Sequence, residues 1–365
     1  MTNNTEHKET TVGWDIGGAH LKAVLMSPQG AVIDALQLPC PLWKGLDHLS
    51  SAVAATLERF GPAPDHAITM TGELADLFTN REDGVTKLVA AMEAMLSGSG
   101  SGIRFYAGAR GLVNGTTART CPPEIASANW RASADFAAHH ISDGLLLDIG
   151  STTTDIVPLK DGKVIAQGKN DFERLDACEL VYTGIVRTPV MAIAENALIG
   201  DKRVPLMAEL FATMADVYRL LGRLPAEADL FPAADGSGKT AQDSARRLAR
   251  MVGCDFSDKN GEIWRAMAAD LAQCQRDKVR EAATRVIGTA GLTSITPVIG
   301  AGCGRFLAEG IAAFLNRPYL SFADLIDVNG ETGGTALREI AATCAPAMAV
   351  AWLAMSVDKS SNSAA

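Results

Sequence analysis

Aspartate, glycine and hydroxyl residues follow one another closely in the stretch from Gly144 to Leu159, which reads GLLLDIGSTTTDIVPL. Its short apolar run predicts a buried strand that ends at Asp148. The polar turn that follows contains Gly150, Ser151, Thr152 and Thr153. Backbone N–H groups and hydroxyls at this spacing can bind a phosphate, and a carboxylate beside them can hold a divalent cation or its water shell. The stretch therefore predicts a phosphate-binding loop between two strands.

The same order of residues occurs near the start of the chain, from Val12 to Met26, which reads VGWDIGGAHLKAVLM. Alignment of Asp15 with Asp148 also aligns Gly17 with Gly150. A strand, an Asp-Ile-Gly sequence, a small polar turn and a returning strand thus occur twice, which indicates an internal duplication.

A third cluster of glycines lies late in the chain, in Thr296 to Arg305, which reads TPVIGAGCGR. Its glycines are Gly300, Gly302 and Gly304. A dinucleotide-binding fingerprint would need glycine at the position of Arg305 and would normally follow the first strand of a domain. We therefore interpret the cluster as a substrate or nucleotide loop of another kind, facing a nucleotide or a diphosphate.

The elements that must position these loops alternate between strand and helix. Apolar spacing predicts strands over Ala31 to Leu38 and Ala67 to Met70, and helices over Leu46 to Phe60 and Val85 to Leu96. From Val204 the pattern becomes helical over a long stretch. The alternation predicts an α/β architecture.

Three polar features each allow two interpretations. Asn129, just before Trp130, either begins a helix or contacts a substrate. Arg187, two residues before Pro189, is either a surface arginine or a phosphate ligand. In Ser244 to Met251 a helical pattern carries either a solvated basic face or a lid of arginines that contact phosphate. The arginines expected to face outward there are Arg246, Arg247 and Arg250.

Composition argues against several classes of protein. A net charge of −9 over 365 residues argues against a broad nucleic-acid surface. The seven cysteines are scattered without a C-x-x-C pair, which argues against a disulfide framework or zinc site and indicates a reducing compartment. The polar start MTNNTEHKETT lacks the apolar core of a signal peptide. The uncharged, alanine-rich stretch from Ile340 to Val357 contains Pro346 and predicts a buried helix, not a membrane span. We expect a cytoplasmic protein without nucleic-acid or membrane partners, and homo-oligomerisation stays open.

Taken together, the two Asp-x-Gly loops and the late glycine loop resemble those of the superfamily of sugar kinases, Hsp70 and actin. The resemblance implies an α/β fold of two duplicated actin-like (ribonuclease H-like) domains with an interdomain cleft. It implies a first domain of residues 1–140 plus about 335–365, and a second domain of residues 141–334 with a helical insertion. One long helix, predicted from Thr335, would cross back to the first domain.

The first loop also resembles that of the hydantoinase A and 5-oxoprolinase group, which reads Asp-x-Gly-Gly-Thr-Phe-Thr-Asp. Asp15, Gly17 and Gly18 match this loop, but Lys22 stands in place of its last aspartate. A cation in an anion-binding loop suits a more highly charged phosphate ligand, so Lys22 is predicted to bind diphosphate.

Within that group, the sequence DIGGAHLK from Asp15 to Lys22 looks like that of a small family assigned to methanofuran and methylofuran biosynthesis. Further matches span the chain, at Met70 to Leu74, Ala126 to Trp130, Leu147 to Asp155, Tyr182 to Pro189 and Ser244 to Met251. Archaeal members often have Asn-Thr where this chain has His20 and Leu21. With the alanine-rich composition, this indicates a bacterial methylotroph homologue.

The resemblance implies a transferase that joins an (aminomethyl)furan-methyl diphosphate to the phenol of a glutamylated tyramine, forms an ether and releases pyrophosphate. In a bacterial homologue the phenol acceptor would be tyrosine-derived. Catalysis would neutralise the leaving group with Mg²⁺ as cofactor and with cationic side chains. Asp15 and Asp148 would hold the metal, and Asp155 would accept the phenol proton, with His20 as the rival base because imidazole titrates near neutral pH. The implied diphosphate ligands are Gly17, Gly18, Lys22, Gly150, Ser151, Thr152, Thr153 and Arg187.

Two other classes of function stay open. One is an ATP-dependent kinase or a hydantoinase/oxoprolinase-type amide hydrolase of the same fold, which consumption of ATP would distinguish. The other is a non-catalytic nucleotide-sensing module, which would bind nucleotide without turnover. The fold alone cannot choose among them, because one scaffold hosts many activities.

Overall fold

The computed structural model describes residues 10–99, 102–257, 261–329 and 334–362. The polar start of the chain, residues 1–9, and residues 363–365 of the first predicted domain lie outside this description. The chain divides into two compact units. Unit 1 contains the residues up to Gly144, Leu159–Ile165 and the residues from Ser321 onward, and unit 2 contains Leu145–Pro158 and Ala166–Leu320. Each unit has a hydrophobic core of its own.

The strands belong to two larger sheets and one hairpin. In chain order they are β1 (Thr11–Ile16), β2 (His20–Met26), β3 (Val32–Pro39), β4 (Asp65–Met70), β5 (Gly102–Tyr106), β6 (Leu112–Val113), β7 (Gly144–Ile149), β8 (Thr154–Lys160), β9 (Lys163–Val164), β10 (Leu180–Val181), β11 (Asn196–Ile199), β12 (Lys202–Pro205), β13 (Val298–Ala301) and β14 (Tyr319–Ser321).

The helices range from a single turn to thirty residues. They are α1 (Asp47–Phe60), α2 (Arg81–Leu96), α3 (Gly115–Thr120), α4 (Pro122–Ile125), α5 (Asn129–His140), α6 (Asp171–Asp176), α7 (Met214–Leu220), α8 (Ala241–Arg250), α9 (Gly261–Ala290), α10 (Arg305–Phe314), α11 (Gly334–Thr343) and α12 (Ala345–Asn362).

The two larger sheets repeat one strand order. In unit 1 the order is β3-β2-β1-β4-β5-β6, with β1, β2 and β3 antiparallel and with β1, β4 and β5 parallel. The second sheet runs β10-β8-β7-β13-β14, with β9 paired to β8. In both, the first strand lies between its hairpin partner and a parallel strand that arrives through a helical crossover, as parallel pairing requires. The duplication predicted from the two loops is therefore present in the fold.

Strand alternation divides the first sheet into two faces. Val12, Trp14 and Ile16 of β1 belong to the core of unit 1, so Gly13 and Asp15 point to the opposite face. Helix α12 packs against β1, β2 and β4. A Cβ atom on Gly13 would lie 1.9 Å from the carbonyl oxygen of Ala347 in this helix, so only glycine allows the observed approach. Asp15 thus lies on the face against which α12 packs.

The single long helix predicted from Thr335 is wrong in one respect, because the chain bends by 98° between α11 and α12. Pro346 is the second residue of α12. Proline is tolerated in the first turn of a helix but would break a helix that continued through it. Within the described residues no single helix is long and apolar enough to cross a membrane, although the bent pair meets that criterion by length and composition. Ala347 to Ala351 of this pair are buried.

The helical part of unit 2 contains α7, α8 and α9, which contact one another. Arg247 of α8 was expected to face outward, and this is wrong, because its side chain is fully buried. It lies 2.7 Å from an oxygen of Asp216 and 3.0 Å from an oxygen of Asp235. These acidic partners come from elsewhere in the chain, so the local helical pattern could not reveal them. Arg246 and Arg250 are about half exposed.

Candidate functional site

The first Asp-Ile-Gly loop is a closed turn between β1 and β2. The Gly17 N–H donates to the His20 carbonyl oxygen at 2.9 Å. A Cβ atom on Gly17 would lie 2.9 Å from the same oxygen, so the turn needs glycine. Asp15 and Lys22 are partners across the antiparallel strands, and Lys22 Nζ lies 3.5 Å from Asp15 Oδ2. The loop therefore contains an internal ion pair, in which the Asp15 side chain is 5% exposed and the Lys22 side chain 23% exposed.

Other polar groups share the sheet face of this ion pair. His20 is buried and lies two residues before Lys22 on β2, so both side chains point to the same face. On the other side of Asp15, the parallel strand β4 places Thr69 opposite it. The Thr69 hydroxyl is buried and makes no hydrogen bond within the described part of the chain. The sequence predicted His20, Lys22 and Asp15 as site residues but not Thr69.

Two of the segments that match the small family, Met70 to Leu74 and Ala126 to Trp130, contact each other next to the first loop. The Thr71 N–H donates to the Ile16 carbonyl oxygen at 2.9 Å. Two residues later, the buried Glu73 accepts a hydrogen bond of 2.8 Å from the Ser127 hydroxyl. Ser127 has a φ of +52°, a conformation that is unusual for a residue other than glycine and that is often found near functional sites. Sequence reasoning assigned no role to Glu73 or Ser127.

Asn129 begins helix α5. Its Oδ1 accepts the Trp130 N–H at 2.8 Å, which agrees with the helix-start interpretation. The sequence had left Asn129 open as a substrate contact and had predicted a substrate or nucleotide loop at Gly300, Gly302 and Gly304. The structure assigns them to different units, because Asn129 belongs to unit 1 and the three glycines belong to unit 2.

The second Asp-Ile-Gly loop closes in the same way as the first. The Gly150 N–H donates to the Thr153 carbonyl oxygen at 2.9 Å. The carbonyl of Ser151 accepts the N–H groups of Val186 and Arg187 at 3.1 and 2.9 Å. The loop is therefore held by the stretch around residue 186, which sequence analysis had matched to the same family. The Arg187 side chain is exposed.

Gly184 packs directly against the backbone of Ser151 and Thr152 in the second loop. A Cβ atom on Gly184 would lie 2.4 Å from the Thr152 nitrogen, so the following segment can pass this close only with glycine at that position. The Ser151 and Thr152 hydroxyls lie 3.4 Å apart. These two side chains are half buried.

The late glycine cluster lies beside the second loop. Strand β13 runs parallel to β7, and its last residue, Ala301, is opposite Asp148. Gly302 has a φ of +78°, and a Cβ atom there would lie 2.5 Å from Asp148 Oδ1. The Gly304 N–H donates to the Ile149 carbonyl oxygen at 2.8 Å. The structure thus brings together the second loop and the third glycine cluster, and the lack of a side chain at Gly302 lets the chain pass directly against the Asp148 carboxylate. Gly300 packs against Tyr319.

Asp155, the predicted base, is half of a buried ion pair. Arg174 Nη1 lies 2.7 Å from Asp155 Oδ1, and its Nη2 donates to the Glu179 carbonyl oxygen at 2.9 Å. The Arg174 side chain is 1% exposed. A Cβ atom on Gly168 would lie 2.5 Å from the Arg174 nitrogen, so the neighbouring loop packs directly on this residue. Arg174 was not predicted, since nothing in its spacing distinguishes it from a surface arginine.

Gln275 of α9 is a second residue that was not predicted, and it holds the segment that packs against the second loop. Gln275 donates to Thr183 Oγ1 at 2.7 Å and to the Gly184 carbonyl oxygen at 2.9 Å, and it accepts from the Tyr218 hydroxyl at 2.5 Å. Burial raises the pKa of Tyr218, which keeps this hydroxyl a donor. Thr183 in turn accepts the Thr154 hydroxyl through its carbonyl at 2.7 Å. Gln275 is 92 residues from Thr183, so no local signal could have found it.

The carboxylates differ in how well they fit a metal ion. The described residues contain no group of three or more His, Cys, Asp or Glu side chains that could hold a metal ion. Mg²⁺ commonly takes one or two protein carboxylates and completes its shell with water and substrate phosphate oxygens. Asp148 fits this pattern as a single carboxylate near the end of β7, two residues before the Gly150 turn. Asp15 fits less well, because Lys22 already lies against it.

Comparison with known proteins identifies relatives of this chain. A family model described as hydantoinase/oxoprolinase matches residues 65–322. The (4-{4-[2-(gamma-L-glutamylamino)ethyl]phenoxymethyl}furan-2-yl)methanamine synthase of Methanocaldococcus jannaschii is 32% identical over 246 residues, which are 67% of this chain and 72% of the relative. The synthase of the same name from Methanococcus vannielii is 29% identical over 163 residues, which are 44% of this chain and 73% of that relative.

A solved structure is similar at the level of the fold. The nucleotide-free structure of an acetone carboxylase matches with a TM-score of 0.57 and 9% identity, over 86% of this chain and 68% of that chain. This likeness, with the repeated sheet order, confirms the predicted α/β fold of two duplicated actin-like domains. The family model covers more than half of the sequence, and the chain therefore belongs to the hydantoinase/oxoprolinase family.

Proposed function

We propose that this protein is a transferase of methanofuran or methylofuran biosynthesis that forms a phenoxymethylfuran ether. Its donor is an (aminomethyl)furan-methyl diphosphate, its acceptor is the phenol of a glutamylated tyramine or a tyrosine derivative, and pyrophosphate is released. The observation that carries the proposal is the 32% identity to a synthase named for such an ether. Both relatives are named as synthases, which supports the coarser statement that the chain is an enzyme of cofactor biosynthesis.

In the proposed reaction, the bond between the furfuryl carbon and the diphosphate oxygen breaks, and its electron pair leaves with the pyrophosphate. The phenol oxygen forms the new bond to the same carbon, and the phenol proton passes to a base. The furan ring can share the positive charge that develops at the furfuryl carbon. Departure of the diphosphate is therefore the step that most needs catalysis, and groups that bind the charge of the leaving group contribute most.

The second loop is suited to bind the leaving group. In our proposal Asp148 holds Mg²⁺, and the Ser151 N–H and the Ser151, Thr152 and Thr153 hydroxyls bind the diphosphate. The chemistry that Mg²⁺ supplies when bound is neutralisation of the diphosphate charge. The Gly150 N–H was predicted to join this set, but it already donates within the turn. We therefore give Gly150 the role of closing the loop.

In the first loop, too, one predicted backbone donor is already used within the turn. The Gly17 N–H also donates within its turn, so in our proposal Gly18 and Lys22 are the diphosphate ligands of this loop. Arg187 stays a proposed diphosphate ligand, supported by its exposed side chain and by its backbone bond to Ser151. Gly302 and Gly304 have a supporting role, because Gly302 allows close packing on Asp148 and Gly304 allows close packing on Ile149.

The ion pair between Asp155 and Arg174 changes our choice of the base that accepts the phenol proton. A carboxylate that is paired with a guanidinium is a poor proton acceptor, because the positive charge stabilises its ionised form. Asp155 is paired in this way with Arg174. We therefore favour His20, the rival base, which shares a sheet face with Lys22. Asp155 then has the role of a fixed charge beside the second loop.

A kinase or amide hydrolase that consumes ATP is the alternative, and the description of the matching family model favours it. In that case Gly300, Gly302 and Gly304 would contact a nucleotide. A bacterial methylotroph origin, a cytoplasmic location and the choice of phenol stay predictions. The two relatives are archaeal and do not support a bacterial origin.

The test is an assay of pyrophosphate release. Purified protein is mixed with Mg²⁺, the furan diphosphate and either a tyramine-type or a tyrosine-type phenol, in the absence of ATP. We expect pyrophosphate only when the phenol is present, together with the mass of the ether. Product that forms only after ATP is added, with ADP or phosphate, would instead establish the alternative.

A further inference from the structure

The duplication aligns the lysine of the first loop with an acidic residue of the second. Asp15 and Lys22 are separated by the same interval as Asp148 and Asp155. The first loop therefore pairs a carboxylate with an ammonium, whereas the second places two carboxylates at the same positions. In the second loop the additional charge is balanced by Arg174, which comes from α6.

The position of Lys22 gives its ammonium two relevant properties. It lies 3.5 Å from Asp15 Oδ2, so it is within ion-pair distance of the carboxylate that would otherwise attract a cation. Its side chain is 23% exposed, while that of Asp15 is 5% exposed, so the lysine is the more accessible member of the pair. A divalent cation that approached Asp15 would meet this positive charge at close range, where repulsion is strong.

We propose that Lys22 is a built-in counter-ion that excludes divalent cations from the first loop, so that Asp15 does not bind metal while Lys22 is present. The proposal rests on the proposed function only in treating a metal diphosphate as the substrate. It changes the role predicted for Asp15 from metal ligand to partner of the lysine. Each chain then has its divalent-cation site at the second loop.

The substitution Lys22→Asp tests this by giving the first loop the two carboxylates of the second. Binding of Mn²⁺, as a spectroscopic substitute for Mg²⁺, is measured by electron paramagnetic resonance on the full chain without substrates. We expect Lys22→Asp to bind one more Mn²⁺ per chain than the wild type. The additional ion should be lost in Lys22→Asp/Asp15→Asn and kept in Lys22→Asp/Asp148→Asn.

Equal Mn²⁺ binding by the wild type and Lys22→Asp would overturn the proposal. So would an additional ion that depends on Asp148 instead of Asp15. A second variant keeps the test decisive if Lys22→Asp folds poorly, since Lys22→Met removes the ammonium without adding a charge. Thermal unfolding of Lys22→Met should then respond more strongly to Mn²⁺ than that of the wild type, because a ligand that binds the folded state stabilises it. An equal response would overturn the proposal.

The outcome is independent of the synthase assay, because no furan or phenol is present. An additional Asp15-dependent ion together with an inactive synthase assay would support this inference and contradict the proposed function. Ether formation by the wild type, with unchanged Mn²⁺ binding in both Lys22 variants, would support the proposed function and contradict this inference.

Discussion

Unit 1 and unit 2 each contain an Asp-Ile-Gly loop at the end of the first strand of a sheet, and in both the glycine N–H donates to a carbonyl oxygen three residues later at 2.9 Å. The two loops share this backbone hydrogen bond, but the charged side chains around them differ. In the first loop Asp15 is paired with Lys22 of the neighbouring strand. In the second loop Asp148 lies directly against Gly302, and the charge of Asp155 is balanced by Arg174 from a separate helix.

The two loops share the backbone hydrogen bond that closes the turn but differ in the charges of their side chains. Closure of the turn uses the N–H of a glycine in both units. The charge differs at the side chain seven residues after the aspartate, which is lysine in one unit and aspartate in the other. This difference is the basis of our proposal that the first loop binds an anion and the second an anion together with its metal ion.

The largest effect is expected when the internal cation of the second loop is removed. Arg174→Leu leaves the carboxylate of Asp155 buried without its partner, and the loss of one member of a buried pair costs about 3–5 kcal/mol. The free energy of unfolding, from denaturant titration, should fall by this amount. Arg174→Leu/Asp155→Asn should recover much of the loss. A loss under about 1 kcal/mol for the single variant would contradict a structural charge pair of this kind.

Removal of the proposed metal ligand should have a comparable effect on activity instead of stability. Asp148→Asn keeps the shape of the side chain and removes its charge, so we expect turnover in the pyrophosphate assay to fall by roughly 10²- to 10³-fold. The thermal midpoint should change little. Asp201→Asn, in the exposed turn between β11 and β12, is the matched control and should keep full activity. Near-normal activity of a folded Asp148→Asn would remove the metal assignment of the second loop.

Acid should act on unit 1 through a buried histidine of strand β4. His66 is 1% exposed and accepts the Trp14 Nε1–H at 3.2 Å, and burial lowers its pKa to about 4. The unfolded histidine titrates near 6.5, so the unfolded state binds a proton first and stability falls as the pH drops from about 6.5 to about 4. The loss from this residue is about 3 kcal/mol. Denaturant titrations at several pH values should show it as the difference between the wild type and His66→Gln, and parallel profiles would contradict it.

The smallest effect is expected at the lysine of the first loop. Lys22→Ala removes one charged hydrogen bond to the proposed diphosphate, which is worth about 1.5–3 kcal/mol and corresponds to roughly a 10- to 100-fold loss in kcat/KM. Lys22→Arg should lose less, since it keeps the charge. Lys87→Ala, which removes an exposed ion pair with Asp83, should match the wild type. If Lys22→Ala behaves like this control, the first loop does not bind the anion.

Local patterns in the sequence were sufficient for the elements and for the fold class. The alternation of strands and helices predicted an α/β fold, the repeated Asp-Ile-Gly loop predicted an internal duplication, and the sheet order confirms both. Periodicity failed where a distant partner decided the outcome. Arg247 has the spacing of a surface residue, yet two aspartates bring it into the interior. The helix from Thr335 is interrupted because Pro346 can only occupy a first turn.

The sequence by itself determined the positions of both loops, because a strand, an aspartate, a glycine and a hydroxyl-rich turn are local in the chain and have local physical causes. It also supplied Lys22 as the residue that distinguishes the first loop. Only the tertiary structure decided which charges are already balanced. Electrostatic pairing and close backbone approach depend on distances in space, so the roles of Arg174 beside Asp155 and of Gly302 beside Asp148 could not be read from residues so far apart in the chain.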